Sequence, residues 1–281
     1  MASLADKRAT FRRLHASGCF VMPNPWDVGT ARYLQHLGFA ALATTSSGAA
    51  FGMGLPDTDW AVPRDAMLAH IASIAQASDL PVNADFESGY AHAPEAVATN
   101  VRLCVETGVA GLSIEDATGD KARPLYDLGH AVARIRAARA AIDASGADVV
   151  LTARAECFLV GQPDLDAAIA RLTAYAEAGA DCLYAPGLTQ REQIAAVVAA
   201  VAPKPVNVLM SAPVGLTVAD LAGLGVRRIS TGSALARAAW AGFRQAACEI
   251  ALEGRFEALG QAMPFAEING FFRDDLLRRT T

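Results

Sequence analysis

Acidic side chains follow two neighbouring strand-like runs of the sequence. Asp85 and Glu87 stand two residues apart at the end of the run Val82–Phe86, and Glu115 follows the run Leu112–Ile114. Residues two apart on a strand face the same side, so these carboxylates are expected to converge on one pocket. Converging carboxylates repel one another unless a cation lies among them, and hard oxygen donors suit Mg²⁺, with Mn²⁺ as a substitute. The three acids therefore predict a metal site.

The same acids allow an interpretation without a metal. Each could cap the helix that follows it, or pair with Arg102 or Arg154. One acid alone is explained well in this way. Three acids on adjacent strand ends favour the metal.

An arginine adds to the candidate pocket. Arg154 follows the run Val149–Ala153, and its planar guanidinium could hold a substrate carboxylate or phosphonate through two hydrogen bonds. It could also neutralise Glu115 or Glu156. Both roles are compatible with one position.

A hydroxyl-rich segment lies after the second strand-like run. Thr45–Ala49 reads as a turn, and its Ser46, Ser47 and Gly48 offer hydroxyls and unobstructed backbone N–H groups. Such groups suit an anionic oxygen. Serine–glycine turns are common, so this indication is weak by itself.

Alternating strand-like and helix-like segments must position these residues. The strand-like runs are Gly18–Pro23, Ala40–Thr45, Val82–Phe86, Leu112–Ile114, Val149–Ala153, Cys182–Ala185, Val206–Leu209 and Arg228–Thr231. The helix-like segments are Val28–Leu37, Arg64–Ala77, Pro94–Thr107, Ala131–Ala144, Asp166–Ala178, Arg191–Val201, Val218–Leu224 and Ala234–Leu252.

Eight apolar strands separated by helices predict a parallel sheet with right-handed crossovers. Eight such units in about 250 residues predict an α/β fold, a closed (β/α)8 TIM barrel spanning residues 1–254, with its active site at the C-terminal ends of the strands. An open doubly wound sheet is the competing architecture. No Gly-x-Gly-x-x-Gly motif follows the first run, where Asn24–Asp27 stands instead.

Residues 255–281 form a C-terminal extension rich in large apolar side chains. They include Phe256, Phe265, Ile268, Phe271 and Phe272. A closed barrel has little room inside for these groups, so we expect a helical segment at a subunit interface or on the outer ring of the barrel.

The composition excludes several classes of protein. The chain has 281 residues, of which 53% are hydrophobic and 19% charged, with a net charge of −5. This balance opposes disorder and nucleic-acid binding, and no apolar run is long enough for a membrane span. Five widely spaced cysteines without a Cys-x-x-Cys pair indicate reduced thiols, so we expect a cytoplasmic protein that binds neither nucleic acid nor membrane.

Several segments together resemble the isocitrate lyase/phosphoenolpyruvate mutase superfamily over residues 18 to 245. They are Ser47-Gly48 with Gly54–Asp57, Asp85–Tyr90, Ser113–Asp116, Thr152–Arg154 with Gly161, Ala178–Asp181 and Pro205–Asn207. The resemblance implies a (β/α)8 barrel whose last helices are exchanged between subunits of a homo-oligomer, a dimer or a tetramer. It also implies a Mg²⁺ ion that holds the 2-oxo-carboxylate or enolate end of the substrate.

The resemblance assigns roles to individual residues. Asp85 resembles the direct metal ligand, while Glu87 and Glu115 resemble acids that reach the metal, commonly through water. On the substrate side lie the turn residues Ser46, Ser47 and Gly48, the supporting acid Asp57, the substrate-contacting Arg154 and the pocket-lining Asn207.

Two departures from the family pattern affect the expected substrate. Glu87 stands where the family has an aspartate, one methylene shorter. The loop Ala117–Tyr126 lacks the cysteine of the Lys-Lys-Cys-Gly-His or Lys-Arg-Cys-Gly-His segment of the lyases, so isocitrate and methylisocitrate are not expected substrates. Cys157 is expected to be buried and not to replace this thiol. Lys121 and Arg123 could close this loop over a bound substrate, or could simply be solvated.

These features predict a Mg²⁺-dependent lyase that cleaves a C–C bond of a 2-oxo acid, or decarboxylates it, through an enolate. Arg154, Glu115 and Tyr184 are the predicted catalytic residues, and Tyr126 and Glu156 are further candidates for the proton donor. Two alternatives remain: C–P chemistry of the phosphoenolpyruvate mutase or phosphonopyruvate hydrolase type, and a barrel that binds 2-oxo acids without turnover.

Overall fold

Eight parallel strands form a nearly closed barrel in the first compact unit of the protein, Ala2–Ser233. The computed structural model describes residues 2–58 and 60–280. The strands are β1 (Phe20–Met22), β2 (Leu42–Ala43), β3 (Val82–Asp85), β4 (Gly111–Glu115), β5 (Val150–Arg154), β6 (Cys182–Tyr184), β7 (Val206–Leu209) and β8 (Arg228–Ser230). Their order, β1-β8-β7-β6-β5-β4-β3-β2, confirms the predicted (β/α)8 barrel.

The helices of this unit surround or cap the strands. They are α1 (Leu4–Ala16), α2 (Val28–His36), α3 (Ser46–Gly52), α4 (Arg64–Ala77), α5 (Pro94–Glu106), α6 (Leu128–Ala144), α7 (Leu165–Glu177), α8 (Arg191–Val201) and α9 (Val218–Gly223). Helices α2 and α4 to α9 match predicted segments to within about three residues at either end. Helices α1 and α3 are additional to the prediction.

The barrel closes between β1 and β2 through the side chain of Asn24. A backbone hydrogen bond of 3.1 Å runs from Ala43 to the carbonyl that follows β1. The Asn24 Nδ2 group donates to the Thr44 carbonyl at 2.8 Å. Its Oδ1 atom accepts from the backbone N–H groups of Thr231 and Gly232, each at 2.9 Å. One amide side chain therefore joins the segments that follow β1, β2 and β8.

Helix α1 covers the N-terminal end of the barrel. Phe11 is fully buried and packs with Phe20, Val150 and Cys182, which begin β1, β5 and β6. A Cβ atom on Gly111, the first residue of β4, would lie 2.5 Å from the Phe11 ring, so the close approach of α1 requires glycine there. The end of the barrel opposite the predicted active site is therefore filled.

The second compact unit begins at Ala234. It contains α10 (Ala234–Glu253), a 3₁₀ helix (Glu257–Gln261) and α11 (Phe265–Thr280). Large apolar side chains are exposed throughout it, among them Trp240, Phe243, Leu252, Phe256, Phe265 and Leu277. Across the described residues of both units, no helix is both long enough and apolar enough to span a membrane.

A histidine and an arginine meet inside the floor of the barrel. His15 of α1 is buried, and its Nδ1–H group donates to the Phe11 carbonyl at 2.8 Å. This leaves Nε2 to accept from Arg228 Nη1 at 3.3 Å. Burial, and then the positive charge of Arg228, lower the pKa of His15 from 6.5 to about 3. His15 therefore stays neutral in the folded protein.

We expect the free energy of unfolding to fall as the pH is lowered from about 6.5 towards 3, because unfolded His15 takes up a proton that folded His15 excludes. The loss from this residue can reach about 1.4 kcal/mol per pH unit. Urea unfolding at stepped pH measures it. A His15→Gln variant keeps an acceptor for Arg228 and should have a flatter pH profile in this window. Equal slopes for the variant and the parent protein would contradict the assignment.

Candidate active site

Two strands and the loop after a third bring acidic side chains to one arginine at the C-terminal end of the barrel. Asp85, Glu115 and Arg154 are the last residues of β3, β4 and β5. Arg154 Nη1 contacts Asp85 Oδ1 at 2.8 Å, and Arg154 Nη2 contacts Glu115 Oε2 at 3.1 Å. Its Nε atom contacts Oε1 of Glu156, two residues further on, at 2.8 Å. One guanidinium therefore holds three carboxylates.

The segment Thr45–Ala49 is helical, so its prediction as a turn is wrong. Thr45 is the N-cap of α3, and its hydroxyl accepts from the backbone N–H group of Gly48 at 3.2 Å. The backbone N–H and the hydroxyl of Ser46 both donate to Asp85 Oδ2 at 2.9 Å. These bonds use the free donors of the first helical turn to fix the carboxylate of Asp85.

A strained loop holds Glu87 beside an aromatic pair. Trp60, Glu87 and Tyr90 have positive φ angles of 57°, 47° and 54°, and they are the non-glycine residues with this conformation in the described chain. Tyr90 donates a hydrogen bond to Glu87 Oε1, and Trp60 Nε1 donates to Ser88 Oγ at 2.9 Å. Left-handed backbone at non-glycine residues is costly and concentrates at functional sites.

The site contains more acidic than basic side chains. Its carboxyl groups are Asp57, which accepts a hydrogen bond from Ser47, and Asp85, Glu87, Glu115 and Glu156. Burial raises the pKa of Glu87 to about 7 and also raises the pKa values of Glu115 and Glu156. Arg154 lowers each of these pKa values, but one guanidinium does not offset the burial of all three acids.

The donor set suits a hard divalent cation, although the side chains are not gathered around one point. In residues 2–58 and 60–280, no group of three His, Cys, Asp or Glu side chains is placed to hold a metal ion. Of the predicted ligands, Asp85 and Glu115 share Arg154, whereas Glu87 binds Tyr90. The surplus of buried carboxylates nevertheless fits a cation in both charge and donor type.

Asp116 supports the site from the side of helix α7. It is 2% exposed, its Oδ1 accepts from the Glu156 backbone N–H at 2.8 Å, and its Oδ2 accepts from Tyr175 at 2.6 Å and Arg171 at 2.9 Å. These bonds hold the start of the loop after β5. They thereby fix Glu156, whose carboxylate contacts Arg154. The sequence shows Asp116 only as a neighbour of Glu115.

Tyr184 and Asn207 lie on the next two strands. The Tyr184 ring centroid is 5.1 Å from Arg154 Cζ, and burial raises the pKa of its hydroxyl to about 12. Asn207 is 2% exposed and bonds Ser230 and Arg228, so its amide faces the barrel interior. Tyr184 is thus next to the carboxylate cluster, and Asn207 stands one strand further away.

The predicted lid residues lie on an exposed loop. Lys121 and Arg123 are exposed, and Arg123 pairs with Asp120 at 3.8 Å. In the described part of the chain neither contacts the carboxylate cluster. Cys157 is 1% exposed, and burial raises the pKa of its thiol, which does not suit an acid/base role.

A cluster of aromatic side chains lies beside Glu87, and the sequence does not predict it. Trp60 lies with its ring centroid 6.0 Å from Tyr90 and 5.1 Å from His92. His92 Nδ1 contacts the Tyr126 hydroxyl at 2.5 Å, and Arg134 Cζ lies 4.0 Å from the Tyr126 ring centroid. The sequence places these aromatic residues in the loops after β2, β3 and β4, and this shared position at one end of the barrel could have indicated the cluster.

Comparisons with known proteins identify the family. A family model described as phosphoenolpyruvate phosphomutase matches residues 11–251. The crystal structure of a provisionally assigned lyase/mutase from Burkholderia cenocepacia J2315 is 50% identical, with a TM-score of 0.91, and the match covers 96% of both chains.

Two curated relatives extend this comparison. An uncharacterized protein of Mycobacterium tuberculosis is 35% identical over 97% of this chain and 99% of its own length. An oxaloacetate decarboxylase of Paraburkholderia xenovorans is 30% identical over 82% of this chain and 76% of its own length. The chain is therefore an enzyme of the phosphoenolpyruvate phosphomutase family, within the isocitrate lyase/phosphoenolpyruvate mutase superfamily.

Proposed function

We propose that this enzyme is a divalent-metal-dependent lyase that cleaves a C–C bond of a small 2-oxo acid, with decarboxylation of oxaloacetate as the leading reaction. The observation that carries the proposal is the surplus of buried carboxylates around Arg154 at the ends of β3, β4 and β5. The relative named oxaloacetate decarboxylase supports the substrate class. The absence of a cysteine from Ala117–Tyr126 disfavours isocitrate-type substrates.

Asp85, Glu87 and Glu115 would hold the metal, Mg²⁺ or Mn²⁺. When bound, such a cation polarises the carboxylate and carbonyl oxygens of a 2-oxo acid and stabilises the negative charge that develops on them. Asp85 is already fixed by Ser46, so its position needs no rearrangement of the backbone. Glu87 lies on the strained loop after β3, and its side chain is one methylene longer than that of aspartate.

Arg154 would bind an anionic end of the substrate. A guanidinium has five N–H donors; Asp85 and Glu156 each accept one of them, and Glu115 Oε2 forms an ion pair with Nη2 at 3.1 Å. The remaining donors are held in a fixed plane by these contacts. A planar, preorganised fork of this kind suits a carboxylate.

The first turn of α3 would complete the substrate site. Ser46 and Ser47 place hydroxyl groups next to Asp85 and Asp57, and the positive end of the helix dipole favours an anionic oxygen there. Gly48 adds no side chain to this turn, which leaves room for the substrate.

Tyr184 would supply the proton that ends the reaction. In decarboxylation the bond between C3 and C4 breaks, carbon dioxide leaves, and the electron pair forms an enolate. The hydroxyl of Tyr184 keeps its proton at neutral pH and the Tyr184 ring lies beside Arg154, so we assign to this residue the transfer of the proton to C3. Tyr126 is less suited because its hydroxyl contacts His92, and Glu156 because it is held by Arg154.

A second candidate is C–P chemistry on a phosphonate such as phosphonopyruvate. The family model that matches this chain is named for a phosphomutase, which favours this candidate. The same arginine and carboxylates would serve an enolate in that reaction. Arg123 and Lys121 would have to move inwards to contact a phosphonate group, because both are exposed.

We expect turnover of oxaloacetate that is lost after treatment with a chelator and restored by Mg²⁺ or Mn²⁺, because the excess carboxylates need a cation. Release of carbon dioxide and pyruvate is the measurement, with 2-methylmalate-type acids and phosphonopyruvate tested in parallel. Consumption of phosphonopyruvate alone would favour the second candidate. Binding of these acids without consumption of any of them in the presence of metal would contradict the proposed lyase.

Asp85→Asn should abolish metal-dependent turnover and weaken metal binding, because the amide removes the charge that Arg154 and the cation share. Calorimetric titration with Mn²⁺ and the melting temperature measure the two effects separately. Asp65→Asn is the matched control, because Asp65 is exposed and pairs only with its neighbour Arg64. Wild-type Mn²⁺ affinity in Asp85→Asn would remove Asp85 from the metal site.

The C-terminal unit would pack against a second copy of the chain. Phe243, Leu252, Phe256 and Phe265 are 62%, 82%, 63% and 80% exposed in the single chain. Apolar side chains of this size in one unit form a large hydrophobic surface, which is typical of a subunit interface. An exchange of these helices between subunits is consistent with this surface.

Deletion of residues 255–281 should reduce the number of subunits in each particle in solution, because it removes much of this apolar surface. Light scattering coupled to gel filtration measures the mass. Leu159→Ser is the matched control, because Leu159 is a 54% exposed leucine of the barrel unit and its loss should leave the mass unchanged. An unchanged number of subunits in the deletion variant would contradict the interface.

A further inference from the structure

A short loop after β3 carries Glu87 in a strained conformation. In this Glu87 loop, residues 87–91, Glu87 and Tyr90 have φ angles of 47° and 54°, and Gly89 between them has a φ angle of 78°. Left-handed backbone at residues other than glycine is costly and persists only where surrounding contacts impose it. Those contacts therefore decide where the Glu87 side chain lies.

Arg134 joins the Glu87 loop to the end of β4. It belongs to α6 and is 1% exposed. Its Nη2 group donates to the carbonyl of Ser88 and, at 3.0 Å, to the carbonyl of Ala91. Its Nη1 group donates to the carbonyl of Glu115, the last residue of β4, at 3.1 Å. One guanidinium thus fixes the loop at two points relative to the strand end.

The other carbonyl groups of the loop also accept hydrogen bonds. The buried Asn100 of α5 donates from Nδ2 to the carbonyls of Gly89 at 2.9 Å and Tyr90 at 3.1 Å. The backbone N–H group of Glu115 donates to the Glu87 carbonyl at 3.1 Å, which extends the pairing of β3 with β4 beyond the strand. Every carbonyl of the Glu87 loop therefore has a donor outside the loop.

Arg134 is a costly residue if it only fills space. Its hydrogen-bond partners are neutral carbonyls, its Nε group has no hydrogen-bond partner, and within residues 2–58 and 60–280 no carboxylate forms an ion pair with it. The ring of Tyr126, 4.0 Å from its Cζ atom, offsets part of the cost of burying the charge. An apolar side chain would fill the same volume without this cost. What arginine adds is a fork of donors that reaches three carbonyls at once.

The position of Arg134 relates it to two carboxylates of the candidate metal site. It bonds the backbone of Glu115 itself and that of Ser88, the residue directly after Glu87. A cation that binds both acids requires their backbones to stay at a fixed separation. Groups that orient metal ligands in this way influence metal affinity although they do not contact the metal.

We propose that Arg134 is a positioning residue that fixes Glu87 relative to Glu115 for metal binding, by holding the Glu87 loop to the end of β4. This inference rests on the proposed function, in which both acids hold the divalent cation. Arg134 touches neither the cation nor the substrate. It acts through the backbone that carries the ligands.

The test is Mn²⁺ binding, measured by calorimetric titration. Arg134→Lys keeps the positive charge but replaces the planar fork with one ammonium group, which cannot serve three carbonyls in the same geometry. We expect its Mn²⁺ affinity to fall by about 10-fold to 100-fold, the usual effect of losing a group that orients metal ligands.

Arg8→Lys is the matched control. Arg8 also donates to backbone carbonyls, those of Val109 at 3.1 Å and Val105 at 3.2 Å, but it does so at the opposite end of the barrel. Its loss should lower the melting temperature and leave the Mn²⁺ affinity unchanged. If Arg134→Lys does not fold, Arg134→Gln takes its place in every measurement, because it avoids a buried charge and keeps two N–H donors.

A double-mutant cycle shows whether Arg134 acts through Glu87. Glu87→Gln removes the charge that Arg134 would position, and should by itself weaken Mn²⁺ binding. Addition of Arg134→Lys to Glu87→Gln should then weaken binding little further, because a misplaced and a missing carboxylate cost the same contact. Losses that multiply in the double variant would overturn the proposal.

Trp60 provides a readout in the metal-free protein, because its Nε1 group donates to Ser88 Oγ in the Glu87 loop at 2.9 Å. In protein labelled with 5-fluorotryptophan, the Trp60 ¹⁹F resonance, assigned by its loss in Trp60→Phe, should shift in Arg134→Lys. The same resonance should stay in place in Arg8→Lys.

The outcomes separate this inference from the proposed function. Wild-type Mn²⁺ affinity or an unshifted Trp60 resonance in Arg134→Lys, beside weakened binding in Asp85→Asn, would overturn the positioning role and leave the metal site standing. Equal losses of affinity in Arg134→Lys and Arg8→Lys would assign the effect to overall stability and would also overturn it. Wild-type affinity in both Asp85→Asn and Glu87→Gln would remove the metal site, and the inference with it.

Discussion

The attraction between one guanidinium and three carboxylates organises the active end of this barrel. Asp85, Glu115 and Glu156 come from different strands or loops, and each would repel the others in a partly dry pocket. Arg154 offsets part of this repulsion, which allows the three carboxylates to converge. In the proposed function, the carboxyl groups that Arg154 does not neutralise would suit a divalent cation and an anionic substrate together, because each compensates part of the charge of the other.

Much of the fold follows from local pattern. Short apolar runs alternate with helical segments, and parallel strands need long crossover connections that are usually helices, so the barrel and its strand ends could be predicted. Once the strand ends are known, Asp85, Glu115 and Arg154 must meet there. The residues of the site could thus be located because the alternation of apolar runs and helical segments indicates the barrel well.

Other features depend on contacts that no local pattern specifies. Helix α1 is polar on most of its surface, and the burial of Phe11 against Gly111 and of His15 against Arg228 explains its place under the barrel. The segment of α3, rich in serine and glycine, has turn-like composition and becomes helical because Thr45 caps it and Asp85 accepts from its first turn. In the sequence, Arg228 resembles a polar residue at the start of a strand, and only the strand register places it inside the barrel.

The seam of the barrel has a consequence for the chemical durability of the protein. Asparagine side chains deamidate when the backbone nitrogen of the next residue attacks the side-chain carbonyl to form a cyclic imide. Asn24 is followed by Pro25, whose nitrogen carries no hydrogen and cannot close that ring. The amide that joins three strand ends is thus shielded by its neighbour from conversion to a carboxylate, which could not donate to Thr44 and would loosen the closure of the barrel.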